Sequence, residues 1–130
     1  MRTVLILLCL LPLAAVPVKR TAADEVRAWL AFVDSGAYEK SYDATAAFFR
    51  SDMKRAQWTE SLNGFRKPFG KVKKRTERSQ TKKKSLPGAP AGDYVIFTFD
   101  TVFESTLTAV ETVNTVKEKD GVRVCGYFIR

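Results

Sequence analysis

The chain has 130 residues, room for one domain with a real core, and its 45% hydrophobic and 12% aromatic content excludes a disordered polymer. It carries 22 lysines and arginines against 14 acidic residues, a formal charge of +8 that invites comparison with nucleic-acid binders. Histidine is absent, which removes the commonest general base and the commonest zinc ligand.

Met1-Arg2-Thr3 precedes an apolar run at residues 4–16 (VLILLCLLPLAAV). The run falls short of the roughly 20 residues that span a bilayer and suits a signal-peptide core of about 7–15. Residues 1–23 therefore read as a signal peptide, cleaved after Ala15 or Ala23. Residues 24–130 read as a single domain with no stable transmembrane span, exported to a periplasmic or secreted location. The competing reading, an uncleaved anchor, is not favoured by Lys19 and Arg20 just downstream. Cys9 lies among bulky residues in mid-run and leaves with the signal, so Cys125 is alone in the exported chain. One thiol makes no internal disulfide and no metal cluster. Its strand-like surroundings suit an inert half-buried thiol, with an intermolecular disulfide as the sharper alternative.

Three helices are predicted next. In residues 22–34, Val26, Trp29, Leu30 and Val33 fall on one face, Thr21 with Asp24 forms a capping signal, and Ser35-Gly36 ends the segment. Cleavage after Ala23 would remove that cap. A second helix is expected over residues 37–50, with Tyr38, Tyr42, Thr45 and Phe49 on one side. A third starts at Ser51 or Asp52, carries Trp58, Leu62 and Phe65, and stops at Pro68.

After Phe69-Gly70 the period changes to two. Residues 93–104 (DYVIFTFDTVFE) place Val95, Phe97, Phe99, Thr101 and Phe103 on one face. Residues 72–85 form a strand before it, joined through the proline- and glycine-rich residues 86–92. Residues 107–119 and 122–130 form two more, with Asp120-Gly121 as the hairpin turn between them. The expected fold class is α+β: three N-terminal helices packed on one face of a four-stranded antiparallel sheet.

From about Val26 onward the chain resembles the bacterial domain-of-unknown-function family 4019. The matching residues are Ala28-Trp29-Leu30, Val33-Asp34-Ser35-Gly36, Tyr38, Phe49-Arg50, Gln57-Trp58, Arg66-Lys67-Pro68-Phe69-Gly70, Ser85-Leu86-Pro87-Gly88-Ala89-Pro90, Gly92-Asp93-Tyr94, residues 109–113 and Gly126-Tyr127-Phe128-Ile129-Arg130. Val122 departs from the family pattern, which has a tryptophan before the position of Arg123. The resemblance implies a small exported protein and supplies no catalytic or ligand residues. The order of elements is also similar to cystatin-like and nuclear-transport-factor-like cone folds, a likeness of fold that does not fix function.

The remaining chemistry is sparse. No nucleophile has a histidine base, and no G-x-S-x-G or phosphate-loop pattern occurs, so no enzyme activity, cofactor or metal is expected. Asp100, Glu104 and Glu111 could make a carboxylate pair in a pocket, but the plainer expectation is that they face water opposite the phenylalanines. Tyr38, Tyr42 and Trp58 could line the same pocket, although helical spacing suits core.

The last candidate is the basic stretch: Lys71, Lys73, Lys74, Arg75, Arg78, Lys82, Lys83 and Lys84, with Glu77 the single acid among them. By strict alternation neither of its faces is apolar, as suits an edge strand whose lysines block pairing between molecules. No aromatic lies between Phe69 and Tyr94 to stack on bases, so a nucleic-acid partner is not expected. An anionic envelope surface is the partner this strand fits, with another envelope protein as the alternative. With residues 1–23 removed, this one stretch accounts for more than the whole net charge.

Overall fold

The structure, a computed structural model, describes residue 15, residues 19–105 and residues 107–130. Apart from Ala15, the apolar run at residues 4–16, with Cys9, lies outside the described residues.

The first helix, α1 (Ala22–Asp34), buries the predicted stripe of Val26, Trp29, Leu30 and Val33. Its start is closed by a reciprocal cap: Thr21 donates its backbone N–H to the Asp24 carboxylate, and Asp24 donates its own to the Thr21 hydroxyl, both at 3.2 Å. Each bond satisfies a donor that a helix start otherwise leaves without a partner.

The second predicted helix is split, so the described chain has four α-helices where three were expected. α2 (Tyr38–Asp43) and α3 (Ala47–Asp52) lie either side of Thr45-Ala46. The physical reason is tertiary. Ala46 donates its N–H to the Val124 carbonyl at 2.8 Å, and Thr45 forms an isolated parallel bridge with Val124. Backbone groups spent on a strand cannot also close a helical turn.

α4 (Arg55–Phe65) starts later than Ser51 or Asp52, both of which lie inside α3. Lys54 is its N-cap, and the Gln57 side chain accepts the Lys54 N–H at 3.1 Å. A 3₁₀ turn, Lys67–Phe69, contains Pro68 and closes the helical half.

The sheet is an antiparallel meander in the order β1 (Val72–Lys83), β2 (Tyr94–Phe103), β3 (Thr108–Glu118), β4 (Gly121–Ile129). β1 and β4 are therefore its two edges. The last hairpin turns on Lys119-Asp120, one residue earlier than expected: Glu118 pairs with Gly121, whose φ of 130° requires glycine.

One face of the sheet meets the helices. Phe97, Phe99, Val113, Val124 and Tyr127 pack against Val26, Trp29, Leu30, Val33, Trp58 and Leu62, each large apolar side chain contributing about 1.5–3 kcal/mol on burial. Tyr94 has the opposite strand parity. It anchors a second cluster with Ala46, Val116 and Cys125.

β1 does not alternate strictly. Its pairing with β2 slips between Val72 and Lys74 and again between Glu77 and Ser79. Before the second slip Arg75 and Glu77 lie opposite Thr101 and Phe99; after it, Gln80 and Lys82 lie opposite Phe97 and Val95. Each bulge inserts a residue and reverses which parity faces the helices, so the simple two-face division of the basic stretch does not hold.

Candidate functional site

The candidate site starts from β1, along which only Val72 and Arg75 are less than fully exposed. Arg78 and Asp100 form an exposed ion pair at 2.7 Å, and Lys84 pairs with Asp93. Lys71, Lys73, Lys74, Lys82 and Lys83 remain exposed, and none has an ion pair with another described residue. In a segment this exposed the charges stay hydrated and act through their summed field rather than through fixed contacts.

Arg75 behaves differently. The first bulge aims it onto the helix face, where it bridges two carboxylates. Its Nη1 and Nη2 donate to the two oxygens of Asp34, each at 2.8 Å. Nε donates to Glu111 Oε1 at 2.8 Å and Nη2 to Glu111 Oε2 at 3.2 Å. Burial opposes its charge, but the hydrogen bonds to Asp34 and Glu111 outweigh that and raise its pKa above the ordinary arginine value.

Glu111 is fully buried at 0% exposure, contrary to the expectation that it faces water. Thr101 donates its hydroxyl to Oε1 at 2.5 Å and Tyr127 donates to Oε2. Burial first, then the neighbouring Glu111 charge, pushes the Tyr127 phenol above its ordinary range.

Arg66, only 2% exposed, completes the network. It donates to Asp34 Oδ1 at 3.2 Å and to the Gly70 carbonyl at 2.7 Å, and its guanidinium lies over the Phe103 ring, 4.8 Å from the centroid. Two arginines thus face two carboxylates at the junction of α1, α4, β1 and β3. Asp34 ends α1, where the helix dipole disfavours an acid by about 0.3–1 kcal/mol; its two arginine partners offset this. Removing one member of such a set is costly, about 3–5 kcal/mol, because it leaves a buried charge alone.

The three predicted carboxylates are not brought together. Asp100 lies at the surface with Arg78, Glu104 sits exposed in the turn after β2, and Glu111 is sealed on the opposite face of the sheet. Tyr42 and Trp58 are core: the Tyr42 hydroxyl donates to the Met53 carbonyl at 2.6 Å, and Trp58 Nε1 donates to the Ser41 hydroxyl at 3.0 Å. Tyr38 and Glu104 do meet, on a cleft of about 640 Å³ beside the network, with Glu39, Lys67 and Lys71 also on its walls.

Sequence reasoning gave Asp34 and Arg66 no role and read Arg75 as one of a solvated run. A signal for Glu111 was present, since it shares strand parity with the apolar Ala109 and Val113. Cys125 is buried, and that burial pushes its thiol up to about 12, so an intermolecular disulfide is not what this fold prepares.

A family profile described as Protein of unknown function (DUF4019) matches residues 25–127. The chain belongs to this family. The DUF4019 match runs from within α1 through most of β4 and includes every side chain of the buried network. None of the curated proteins matches the chain. Among solved structures, one from Catenulispora acidiphila is similar at 14% identity and a TM-score of 0.48, covering 82% of this chain and 88% of that one; so distant a likeness bears on neither fold nor function. No described helix is long and apolar enough to cross a membrane.

Proposed function

We propose that this DUF4019 protein is an exported, non-enzymatic binding module of the bacterial envelope that rests on anionic surface through β1. The observation that carries the reading is the set of five exposed lysines, Lys71 just before β1 and Lys73, Lys74, Lys82 and Lys83 along it, on an edge whose root is locked into the core by Arg75. A strand presenting ammonium groups from both of its faces along the edge of the sheet suits phospholipid headgroups or anionic polymers, each lysine near such a surface contributing about 1 kcal/mol. The capped start of α1 supports cleavage after Ala15, which keeps Thr21 and Asp24 together, over cleavage after Ala23.

A second reading, a small-molecule binder or small enzyme of the cone-fold type, draws on the cleft where Tyr38 and Glu104 meet. Its catalytic form is weakened by the arrangement of Asp100, Glu104 and Glu111, because Glu104 is the one of the three on that cleft and Glu111 is engaged by Arg75, Thr101 and Tyr127.

Co-sedimentation with phosphatidylglycerol-containing vesicles across a salt series tests the first reading. Binding at low salt that fades as salt rises, and that is lost when the five lysines are changed to glutamine, is the expected result. Absence of binding at low salt, or binding indifferent to those substitutions, overturns it.

A further inference from the structure

The second edge of the sheet is built unlike the first. Arg130 and Val110 exchange backbone hydrogen bonds at 2.8 and 3.1 Å. In an antiparallel ladder such pairs alternate with pairs whose N–H and C=O groups point away. Tyr127, opposite Val113, and Ile129, opposite Glu111, therefore turn their backbone groups outward from β3. No other described residue takes those groups. One step earlier the edge is already used: Thr45-Ala46 bonds to Val124 as a short added strand. The edge thus accepts a strand at one end and lies open at the other.

Beside the open part runs a groove of about 350 Å³. Its helix wall is Phe49, Met53, Trp58 and Phe65, and its strand wall includes Tyr127 and Ile129. Phe128, on the other face of the same strand, is 58% exposed. Residues 124–129 carry no charge, whereas a solvent-facing edge is ordinarily blunted by lysine, proline or a covering element. The only charged side chains on β4 and immediately after it are the two that bracket this segment, Arg123 and Arg130.

We infer that the β4 edge from Tyr127 to Ile129 is a docking site for an extended segment of a partner protein, apolar at its centre and acidic at its ends, which adds to the sheet as a fifth strand. Main-chain hydrogen bonds to Tyr127 and Ile129 supply register, and alternate side chains enter the groove. The acidic ends follow from charge complementarity with Arg123 and Arg130. The same charges oppose a second copy of this chain, which would bring its own arginines and its net positive charge to the contact. This surface is distinct from β1, so the protein could hold an anionic surface with one edge and a protein strand with the other.

The test uses the purified chain, isotope-labelled, and a capped synthetic peptide of alternating valine and threonine flanked by aspartates. Expected on titration are amide shifts confined to β4, α3 and α4, and slowed hydrogen exchange at the Tyr127 and Ile129 amides. Phe128→Lys, which restores a blunting charge at an exposed position, should weaken binding at least about tenfold while leaving the thermal transition unchanged. Independently of any variant, a peptide N-methylated along the docking edge should fail to bind, because it cannot form the ladder.

No shift with the peptide, or shifts that map to β1, overturns the proposal. So does equal affinity for a peptide whose aspartates are replaced by lysines. Protection of the Tyr127 and Ile129 amides in the peptide-free chain also overturns it, since the edge would then be occupied by the N-terminal residues or by a second copy; sedimentation against concentration separates those two.

Discussion

β1 and β4 stand at opposite edges of one sheet and solve the edge problem in opposite ways. β1 is long, bulged twice and covered in exposed lysines, so its free hydrogen-bonding groups sit behind a layer of like charge. β4 is apolar through residues 124–129, partly covered by Thr45-Ala46, and open at Tyr127 and Ile129. The two also differ in how they are held. β4 is fastened by apolar packing, with Val124 and Tyr127 in the main core. β1 has almost no buried surface, and its hold on the helix layer comes from one arginine between two carboxylates. The difference teaches that an edge strand can be kept free for binding by charge on its surface, provided that an ion network fixes its root.

The largest way to break this comparison is Glu111→Ala. It leaves Arg75 with one carboxylate and strands the Thr101 and Tyr127 hydroxyls, so a loss of about 3–5 kcal/mol is expected in denaturant unfolding. Hydrogen exchange should quicken in β1 before β4. A loss below about 1 kcal/mol would mean that β1 is held by something else.

Lys82→Gln with Lys83→Gln is next. At about 1 kcal/mol per lysine, vesicle affinity should fall roughly thirtyfold with the unfolding transition unmoved. Equal loss from Arg123→Gln with Arg130→Gln would erase the distinction between the edges.

A third test uses pH and reports on the β4 side alone. The folded state holds the Cys125 thiol up to about 12, from 9.0, and raises the Tyr127 phenol in the same direction. The unfolded chain loses these protons earlier. The stability they represent is therefore complete below about pH 9 and declines as pH rises toward 12. A thiol-alkylating reagent should react slowly in the folded protein at pH 9 and rapidly once denaturant is added. Fast reaction in the folded chain would place Cys125 in solvent.

The smallest effect expected is at Arg78→Ala. Its pair with Asp100 is exposed on both sides, so the change should stay within about 1 kcal/mol. A larger loss would show that the second bulge of β1 depends on this pair.

Much of the fold was legible because it rests on local periodicity. The stripe of α1, the phenylalanine face of β2 and the change of period after Gly70 are each set by neighbouring residues, and they led to an α+β domain with an antiparallel sheet. The split at Thr45-Ala46 was not legible, because its cause is Val124, far along the chain. The later start of α4 escaped for a related reason: Ser51 and Asp52 are good caps, but they were needed to finish α3.

The candidate site was legible in composition and not in arrangement. Eight basic residues in one stretch are visible to anyone reading the chain, yet Arg75, Arg78 and Lys84 are ion-paired, and the five other lysines have no ion pair with another described residue. Alternation fails there because two bulges reverse the faces, and bulges at an edge leave little trace in residue type. Glu111 was misplaced for the opposite reason: the general rule that carboxylates avoid burial holds only until partners are found, and its partners come from distant elements.

By itself the sequence determined the class of architecture, the four strands and the first helix, the absence of histidine and the concentration of positive charge in one stretch. These follow from short-range periodicity and from counting. Only the tertiary structure decided which of those charges are sequestered, that Asp34, Arg66, Arg75 and Glu111 converge, and that β4 ends with two residues turned outward beside an apolar groove. Such facts depend on register and on contacts between segments far apart in the chain, where a shift of one residue sends a side chain to the other face.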